Sequence, residues 1–201
     1  LATRLDLFKR WYSQSGTPRV TARGRWDAHT RTYTLGFEQQ VVDGKLPQVI
    51  PMALALIDRD GRALPVQLED EPAFDAAERV LVLDQAKNFY TFVNVDAEPV
   101  PSLLRGFSAP VILTEPLSDD DLLVLLSHDS DPFNRWESGR RLALNRLLGA
   151  IKGEREPMLD APFIGAMRAV LRHPQLDAAF KALVLTLPDE NLLAEHLASV
   201  N

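Results

Sequence analysis

The chain has 201 residues, of which 46% are hydrophobic and 25% are charged, a composition typical of a folded globular protein of one or two domains. Its formal net charge of −6 argues against nucleic acid or an anionic membrane surface as the main partner, because either would favour a basic surface. It contains no cysteine, which excludes disulfide bonds and thiolate chemistry and is compatible with the cytoplasmic location that we expect.

A change in the spacing of apolar residues near Pro116 divides the chain into two parts. Before this residue apolar side chains mostly alternate with polar ones, and after it they recur every three or four positions. These are the periods of half-buried strands and of amphipathic helices. A short helix is predicted at 5–12, before the strands, and Gly16 and Pro18 would end it. Four of its side chains would share one face: Leu7, Phe8, Trp11 and Tyr12.

Seven short strands are predicted between Arg19 and Leu113. They cover residues 19–26, 32–40, 49–57, 63–68, 80–83, 87–95 and 107–113. Asp60 and Gly61 predict a hairpin turn between the third and fourth strands, whereas Pro51 favours an edge position because proline has no NH group to donate. This number of short strands at hairpin-like spacing is typical of an immunoglobulin-like β-sandwich.

Five amphipathic helices are predicted after the strands. Ser118 and Asp121 form a variant of the capping box at the start of the first helix. Asp131-Pro132 starts the second helix, and Gly153 would end it. The predicted apolar face of this second helix consists of Phe133, Trp136, Leu144, Leu147, Leu148 and Ile151.

The three remaining helices are predicted at 160–172, 176–187 and 189–200, with proline corners between them, and the pattern indicates stacked helical hairpins. The predicted fold class is therefore β + α in two domains. An immunoglobulin-like antiparallel β-sandwich at 18–116 would be followed by a solenoid-like α-helical domain at 117–201.

Residues that could carry chemistry are scattered along the chain. The four histidines lie outside any His-Glu-x-x-His motif, which would place two zinc ligands on one helical face: His29, His128, His173 and His196. Four serines lie outside any Gly-x-Ser-x-Gly elbow: Ser13, Ser15, Ser102 and Ser108. Helix capping accounts for the acidic run Asp119 to Asp121. We therefore expect surface, loop and capping roles for these residues.

One predicted helix is rich in arginine. The basic residues are Arg135, Arg140, Arg141 and Arg146, with Glu137 among them. Glu137 interrupts the basic run, and the sequence contains no glycine-rich phosphate-binding loop. We expect a solvated or domain-facing surface here.

Four blocks of sequence, which follow one another along the chain, carry a resemblance to a known family. They are Trp11–Pro18, Pro101–Pro110, Asp129–Glu137 and Phe180–Pro188. They resemble bacterial aminopeptidase N, the alanyl aminopeptidases of the gluzincin class of zinc metallopeptidases. The family's amine-binding Gly-x-Met-x-Asn strand is not matched, because Gly165 and Met167 are followed by Ala169 and lie on a predicted helix.

The resemblance implies that the chain is a fragment of a larger enzyme. Residues 1–17 would be the terminal helix of a preceding catalytic zinc domain, 18–116 the sandwich, and 117–201 the first helices of a truncated C-terminal domain. The zinc ligands, the general base and the amine-binding strand would belong to the catalytic domain. We therefore predict no catalytic, cofactor-binding or metal-binding residue in this chain, with zinc only in the intact parent.

The favoured hypothesis is a structural interdomain module of an aminopeptidase that removes N-terminal amino acids from peptides. Its partners would be the remaining domains of the enzyme, and only the intact enzyme would bind peptide substrates. The alternative is an independent binding module for a protein or a carbohydrate, and a hydrolase using loop serine and aspartate residues is a third hypothesis. We expect neither nucleic acid nor a membrane as partner, since no apolar run reaches the roughly 20 residues of a membrane span.

Overall fold

The structure, a computed structural model, describes residues 7–41, 45–72, 75–153 and 160–197. It divides the chain into two compact units, with the boundary between Pro116 and Leu117. We call them the β unit and the helical unit. Residues 5–6 of the first predicted helix and 198–200 of the last lie outside the described residues. None of the described helices has the length and apolar character needed to cross a membrane.

Within the described residues, the β unit contains a short helix, α1 (Arg10–Ser13), followed by eight strands in two sheets. The strands are β1 (Arg19–Asp27), β2 (Thr32–Gln39), β3 (Ile50–Ile57), β4 (Ala63–Leu64), β5 (Arg79–Leu83), β6 (Lys87–Phe92), β7 (Val100–Leu103) and β8 (Ile112–Thr114). One sheet has the order β6-β2-β1-β8, and in the other β3 lies between β4 and β5 and also pairs with β7. Strand β8 runs parallel to β1, and the other pairs are antiparallel.

The core of the β unit is a single apolar cluster to which both sheets contribute. Tyr33, Leu35 and Phe37 of β2 are buried, as their alternation predicted, and they belong to the same cluster as Met52 of β3 and Phe92 of β6. Burial of such side chains is the main driving force for folding. The predicted two-sheet sandwich is confirmed.

The strand predicted at 107–113 is wrong over most of its length. Residues Arg105–Phe107 form a 3-10 turn, and β8 begins only at Ile112. Gly106 and Phe107 have φ angles of 59° and 53°, which lie in the left-handed region and cannot continue a strand. The apolar alternation was therefore misleading, and the strand β7 just before the turn was missed.

The strand predicted at 63–68 is shorter than expected. Its pairing with β3 covers only Ala63 and Leu64, and the next residue is Pro65, which has no NH group to donate. Beyond it Leu68 forms a bridge with Phe92 of the other sheet. Leu64 and Val66 are nevertheless both buried, so the apolar alternation continues beyond the paired residues.

The helical unit contains five helices within the described residues. They are α2 (Asp119–His128), α3 (Pro132–Ile151), α4 (Ala161–Arg172), α5 (Ala178–Leu185) and α6 (Glu190–Glu195). In every one the residue before the helix accepts a hydrogen bond from a backbone NH of the first turn: Ser118, Asp131, Asp160, Asp177 and Asp189. The capping box at Ser118 and Asp121 and the start of α3 at Asp131-Pro132 are confirmed.

The buried face of α3 differs from the predicted apolar face. Its buried residues are Asn134, Arg135, Ser138, Gly139, Leu142, Ala143, Leu144, Arg146 and Gly149. Leu144 was predicted, but Ile151 is 54% exposed, and Phe133 and Trp136 are only half-buried. The prediction failed because it assigned every polar side chain to the solvent.

Helix α1 also departs from its predicted arrangement, because its aromatic side chains do not share one face. Trp11 packs against the core of the β unit, whereas Tyr12 is 85% exposed. Phe8 and Tyr12 instead contact each other edge-on, with ring centroids 6.3 Å apart. Neighbouring residues on a helix point about 100° apart, so Trp11 and Tyr12 face different surroundings.

Candidate functional site

The Asp129–Glu137 block forms a turn that is built by its own side chains. Asp129 Oδ1 accepts a hydrogen bond from the Asp131 NH at 2.9 Å, and Asp131 Oδ1 accepts one from the Asn134 NH at 2.9 Å. Arg135 folds back and donates through Nε and Nη2 to the Asp129 carbonyl, at 3.0 and 2.6 Å. The unusual composition of this block therefore has a structural explanation as a helix start.

Arg135 is a buried cation, contrary to the expectation of a solvated or domain-facing surface. It is 4% exposed, and within the described ranges its Nη1 has no hydrogen-bond partner. Burial lowers the pKa of the Arg135 guanidinium, and the nearby Asp129 carboxylate opposes that shift. Its two bonds to a carbonyl group suit a structural role, because they hold the guanidinium against the turn.

The Pro101–Pro110 block is organised around Arg105. This side chain is buried, and it donates to Ser102 Oγ at 2.8 Å and forms an ion pair with Glu78 at 2.7 Å. Ser108 Oγ accepts a hydrogen bond from the Ala53 NH of β3 at 3.0 Å. Both serines that the sequence offered as possible nucleophiles here thus serve as hydrogen-bond acceptors that support the fold.

Arg146 connects three helices of the helical unit. Its Nη1 lies 3.2 Å from Asp119 at the start of α2, and its Nη2 lies 2.7 Å from Asp160 at the start of α4. Its guanidinium also lies over the ring of Phe163, 5.2 Å from the centroid. The acidic run at 119–121 therefore does more than cap α2, since Asp119 also binds a cation from α3.

The histidines do not come together. His29 lies in the turn after β1, His128 ends α2, and His173 and His196 follow α4 and α6. Burial, followed by the positive charges of Arg135 and Lys181, lowers the pKa of His173. Among the described residues no three His, Cys, Asp or Glu side chains are grouped closely enough to hold a metal ion.

Within the described residues, a cleft large enough for a small molecule or a side chain is found in each unit. The cleft in the β unit, of about 230 Å³, lies between residues 14–19, 39–41 and 45–48 and is lined by amides, hydroxyls and two cations. The cleft in the helical unit, of about 300 Å³, is almost wholly apolar and includes Met167 and Leu171. Neither lining contains a His, Asp or Glu side chain, so neither has the composition of a Ser-His-Asp hydrolytic site.

Next to the first cleft, the segment 46–49 is held by side chains from two directions. Its four consecutive carbonyl groups accept hydrogen bonds from Gln14 Nε2 at 3.0 Å, Arg10 Nη1 at 2.6 Å, Gln39 Nε2 at 2.9 Å and Trp11 Nε1 at 2.9 Å, in the order Leu46, Pro47, Gln48 and Val49. Gln14 Oε1 and Gln39 Oε1 also accept from the NH groups of Leu46 and Gln48, at 2.6 and 2.9 Å. This arrangement leaves no recognisable motif in the sequence, because its glutamines are scattered along the chain.

Comparison with known proteins accounts for both units. Residues 16–116, half of the chain, match DUF3458, described as a domain of unknown function with an Ig-like fold. The chain belongs to this family. Residues 119–201 match DUF3458_C, described as ARM repeats, so the fold class predicted from the sequence is confirmed on the helical side as well.

The DUF3458 chain is similar over nearly its whole length to bacterial enzymes named aminopeptidase N. It is 37% identical to that of Escherichia coli K12 over 204 residues, and 35% identical to that of Caulobacter vibrioides over 195 residues. These matches cover 96% and 94% of the chain but 23% and 21% of the relatives. The resemblance predicted from the four sequence blocks is confirmed, and the chain spans less than a quarter of the length of these relatives.

A solved structure has the same architecture. Legionella pneumophila aminopeptidase A, crystallised in complex with aspartic acid, matches with a TM-score of 0.80 and 28% identity. The match covers 96% of this chain and 21% of that protein. These comparisons give no support to the alternative of an independent binding module.

Proposed function

We propose that this chain is a non-catalytic interdomain module of a zinc-dependent aminopeptidase that removes N-terminal amino acids from peptides. The observation that carries the proposal is the extent of the similarity, which covers 94% to 100% of the chain but only 21% to 24% of each aminopeptidase N relative. The geometry adds support, because the buried Arg105, Arg135 and Arg146 each bind turns or helix starts within their own unit.

The partners of the module are, on this proposal, the other parts of the same enzyme. Zinc, which the family resemblance implies, would polarise the scissile peptide bond when bound in the intact enzyme. The described residues of this chain do not fit such an ion, since no group of three potential ligands occurs among them. The zinc ligands and the peptide substrate would therefore lie outside this module. We also propose a cytoplasmic location for the enzyme, with which the lack of cysteine in this chain is compatible.

A chimera tests the proposal. This chain would replace the matching segment of Escherichia coli aminopeptidase N, and hydrolysis of an aminoacyl-p-nitroanilide would be measured for the chimera, for the enzyme with the segment deleted, and for the 201-residue chain alone. We expect the chimera to be active, the deletion to be inactive, and the chain alone to be inactive and free of stoichiometric zinc by elemental analysis.

Two results would contradict the proposal. Chelator-sensitive hydrolysis by the chain alone would place the chemistry within it. Full activity of the deleted enzyme, with normal folding by circular dichroism, would show that the segment has no part in the structure that supports catalysis.

A further inference from the structure

We propose that α1 is a latch: together with Gln14 it closes on the segment 46–49 as one cooperative unit and sets the direction in which the polypeptide before Arg10 meets the sandwich. The cooperative closure is a property of this chain alone. Its consequence for the direction of the preceding polypeptide rests on the proposed interdomain function.

Side-chain contacts are concentrated on the short segment 46–49. Three of the four carbonyl groups at 46–49 are bound by side chains of α1 and of the residue that follows it, across 32 to 38 positions of sequence. Lys45 Nζ adds a bond to the Ser15 carbonyl at 2.5 Å, so the contact continues beyond the end of the helix. A helix of four residues is not stable by itself, and these contacts must hold it in place.

Gln14 binds the backbone of Leu46 through both ends of its side-chain amide. Its side-chain amide donates to the Leu46 carbonyl and accepts from the Leu46 NH, which is the pairing that a neighbouring strand would make. Gln39 repeats this pairing at Gln48 and also donates to the Gln85 carbonyl, so it ties the same segment to the body of the β unit. The segment is therefore bound both by a side chain of β2 and by side chains of α1 and Gln14.

The hydrogen bonds of Trp11 and Gln14 to the segment are coupled. Trp11 packs against the β-unit core while its Nε1 binds Val49, and Gln14 binds Leu46 three positions earlier. Loss of either contact removes a constraint that orients the other, since both act on the same four-residue stretch of backbone. We therefore expect the amides of α1 and of the segment to open together.

Residue-resolved amide hydrogen exchange by NMR on the full chain tests this coupling. Trp11→Phe keeps an aromatic ring in the core but removes the donor to Val49, and it leaves Gln14 and Leu46 unchanged. We expect exchange at both the Leu46 and the Tyr12 amides to rise by roughly threefold to tenfold, as expected for the loss of one hydrogen bond from a shared opening event. Unchanged exchange at either amide, or a wild-type α1 without protection, would overturn the latch.

A second variant covers the case in which Trp11→Phe disturbs the core, which faster exchange at Leu35 in β2 would reveal. Gln14→Glu keeps the acceptor for the Leu46 NH but cannot donate to the Leu46 carbonyl, and it should raise exchange at Tyr12 by a similar factor. If the Tyr12 amide does not respond, the latch is wrong. Gln40→Ala is the matched control, because this exposed glutamine lies beside the same cleft, and it should change neither amide.

The two proposals can fail separately. Chelator-sensitive hydrolysis by the chain alone, together with coupled exchange at Leu46 and Tyr12, would refute the interdomain function and leave the latch intact. An active chimera with uncoupled exchange would do the reverse.

Discussion

Arg146 illustrates how a single buried side chain holds the helical unit together. Its side chain is 9% exposed, and its two carboxylate partners, Asp119 and Asp160, belong to the starts of two different helices. Removing the cation deprives both carboxylates of this charged partner, although both remain partly solvated. The loss of stability should therefore be smaller than the loss caused by breaking a fully buried ion pair.

We predict that Arg146→Met lowers the free energy of unfolding of the helical unit by about 1 to 3 kcal/mol. Urea unfolding followed by circular dichroism would measure the change. Arg140→Met on the same helix is the control, because the Arg140–Glu137 pair is partly exposed and should contribute less than about 1 kcal/mol. Equal effects of the two substitutions would contradict the assigned role of Arg146.

Asp58 gives the β unit a dependence on pH. Its carboxylate accepts hydrogen bonds from the NH groups of Arg62 and Asp60, at 2.8 and 3.0 Å, and from Arg62 Nε at 2.9 Å. Burial is the largest single influence and by itself would raise the pKa of Asp58, but these hydrogen bonds and the Arg62 charge together lower it. The folded-state pKa thus lies below the unfolded value of about 3.9.

It follows that Asp58 stabilises the fold above about pH 4, and that this contribution is lost as the pH falls through the folded-state pKa. We predict that Asp58→Asn is less stable than the wild type at pH 7 and that the difference shrinks at pH 3, as measured by urea unfolding at both pH values. Asp70→Asn, at an exposed turn, serves as control. A difference that stays constant between pH 7 and pH 3 would rule out the ionised carboxylate as its source.

Such residues are where sequence analysis is weakest. Polar side chains are usually exposed, so the pattern assigned Arg135 and Arg146 to the surface. Their burial depends on partners that only the fold brings near, such as Asp119, which lies 27 positions before Arg146. The spacing of apolar residues along one helix contains no information about such a partner.

At the scale of elements, Gly24 shows how β1 makes room for a core side chain. It shares the inward side of the strand with Ala22, and a Cβ atom there would overlap the Tyr33 ring of β2, with Cε2 at 2.8 Å. Tyr33 is buried, so its ring cannot move away without disturbing the core. Gly36 of β2 differs, because a Cβ there would meet Phe89, which is 71% exposed and free to rotate outward.

We predict that Gly24→Ala lowers the stability of the β unit by about 1 to 3 kcal/mol, as expected for overpacking a core, whereas Gly36→Ala changes it by less than about 1 kcal/mol. Thermal or urea unfolding of both variants would measure the contrast. A neutral Gly24→Ala would mean that the Tyr33 ring has space that the structure does not show.

The elements themselves were predicted best where the signal is local. The alternation at Tyr33, Leu35 and Phe37 depends only on which face of a single strand is buried. Each helix start depends only on a capping side chain and the turn that follows it. The ends of β4 and β8 depend on which strand lies alongside. Left-handed backbone at Gly106 and Phe107 broke an apolar alternation that otherwise fitted a strand.

For the whole molecule, the change of period near Pro116 was sufficient to predict two units of different class, and four sequence blocks were sufficient to predict the family. The blocks are informative because they encode specific local structures, such as the interlocked turn that begins at Asp129. The contacts between the latch and the segment 46–49 could not be predicted, since the glutamines and the carbonyl groups come together only in the folded sandwich.

The parallel pairing of β8 with β1 has a mechanical consequence. The register joins Arg19 to Ile112 and Thr21 to Thr114, so the first and last strands of the sandwich lie side by side and point the same way. If a tensile force pulled the chain ends apart, the backbone bonds of this pair would be loaded lengthwise and all at once. These hydrogen bonds would have to break together instead of one after another. The sandwich would therefore resist a force applied to the two ends of the chain.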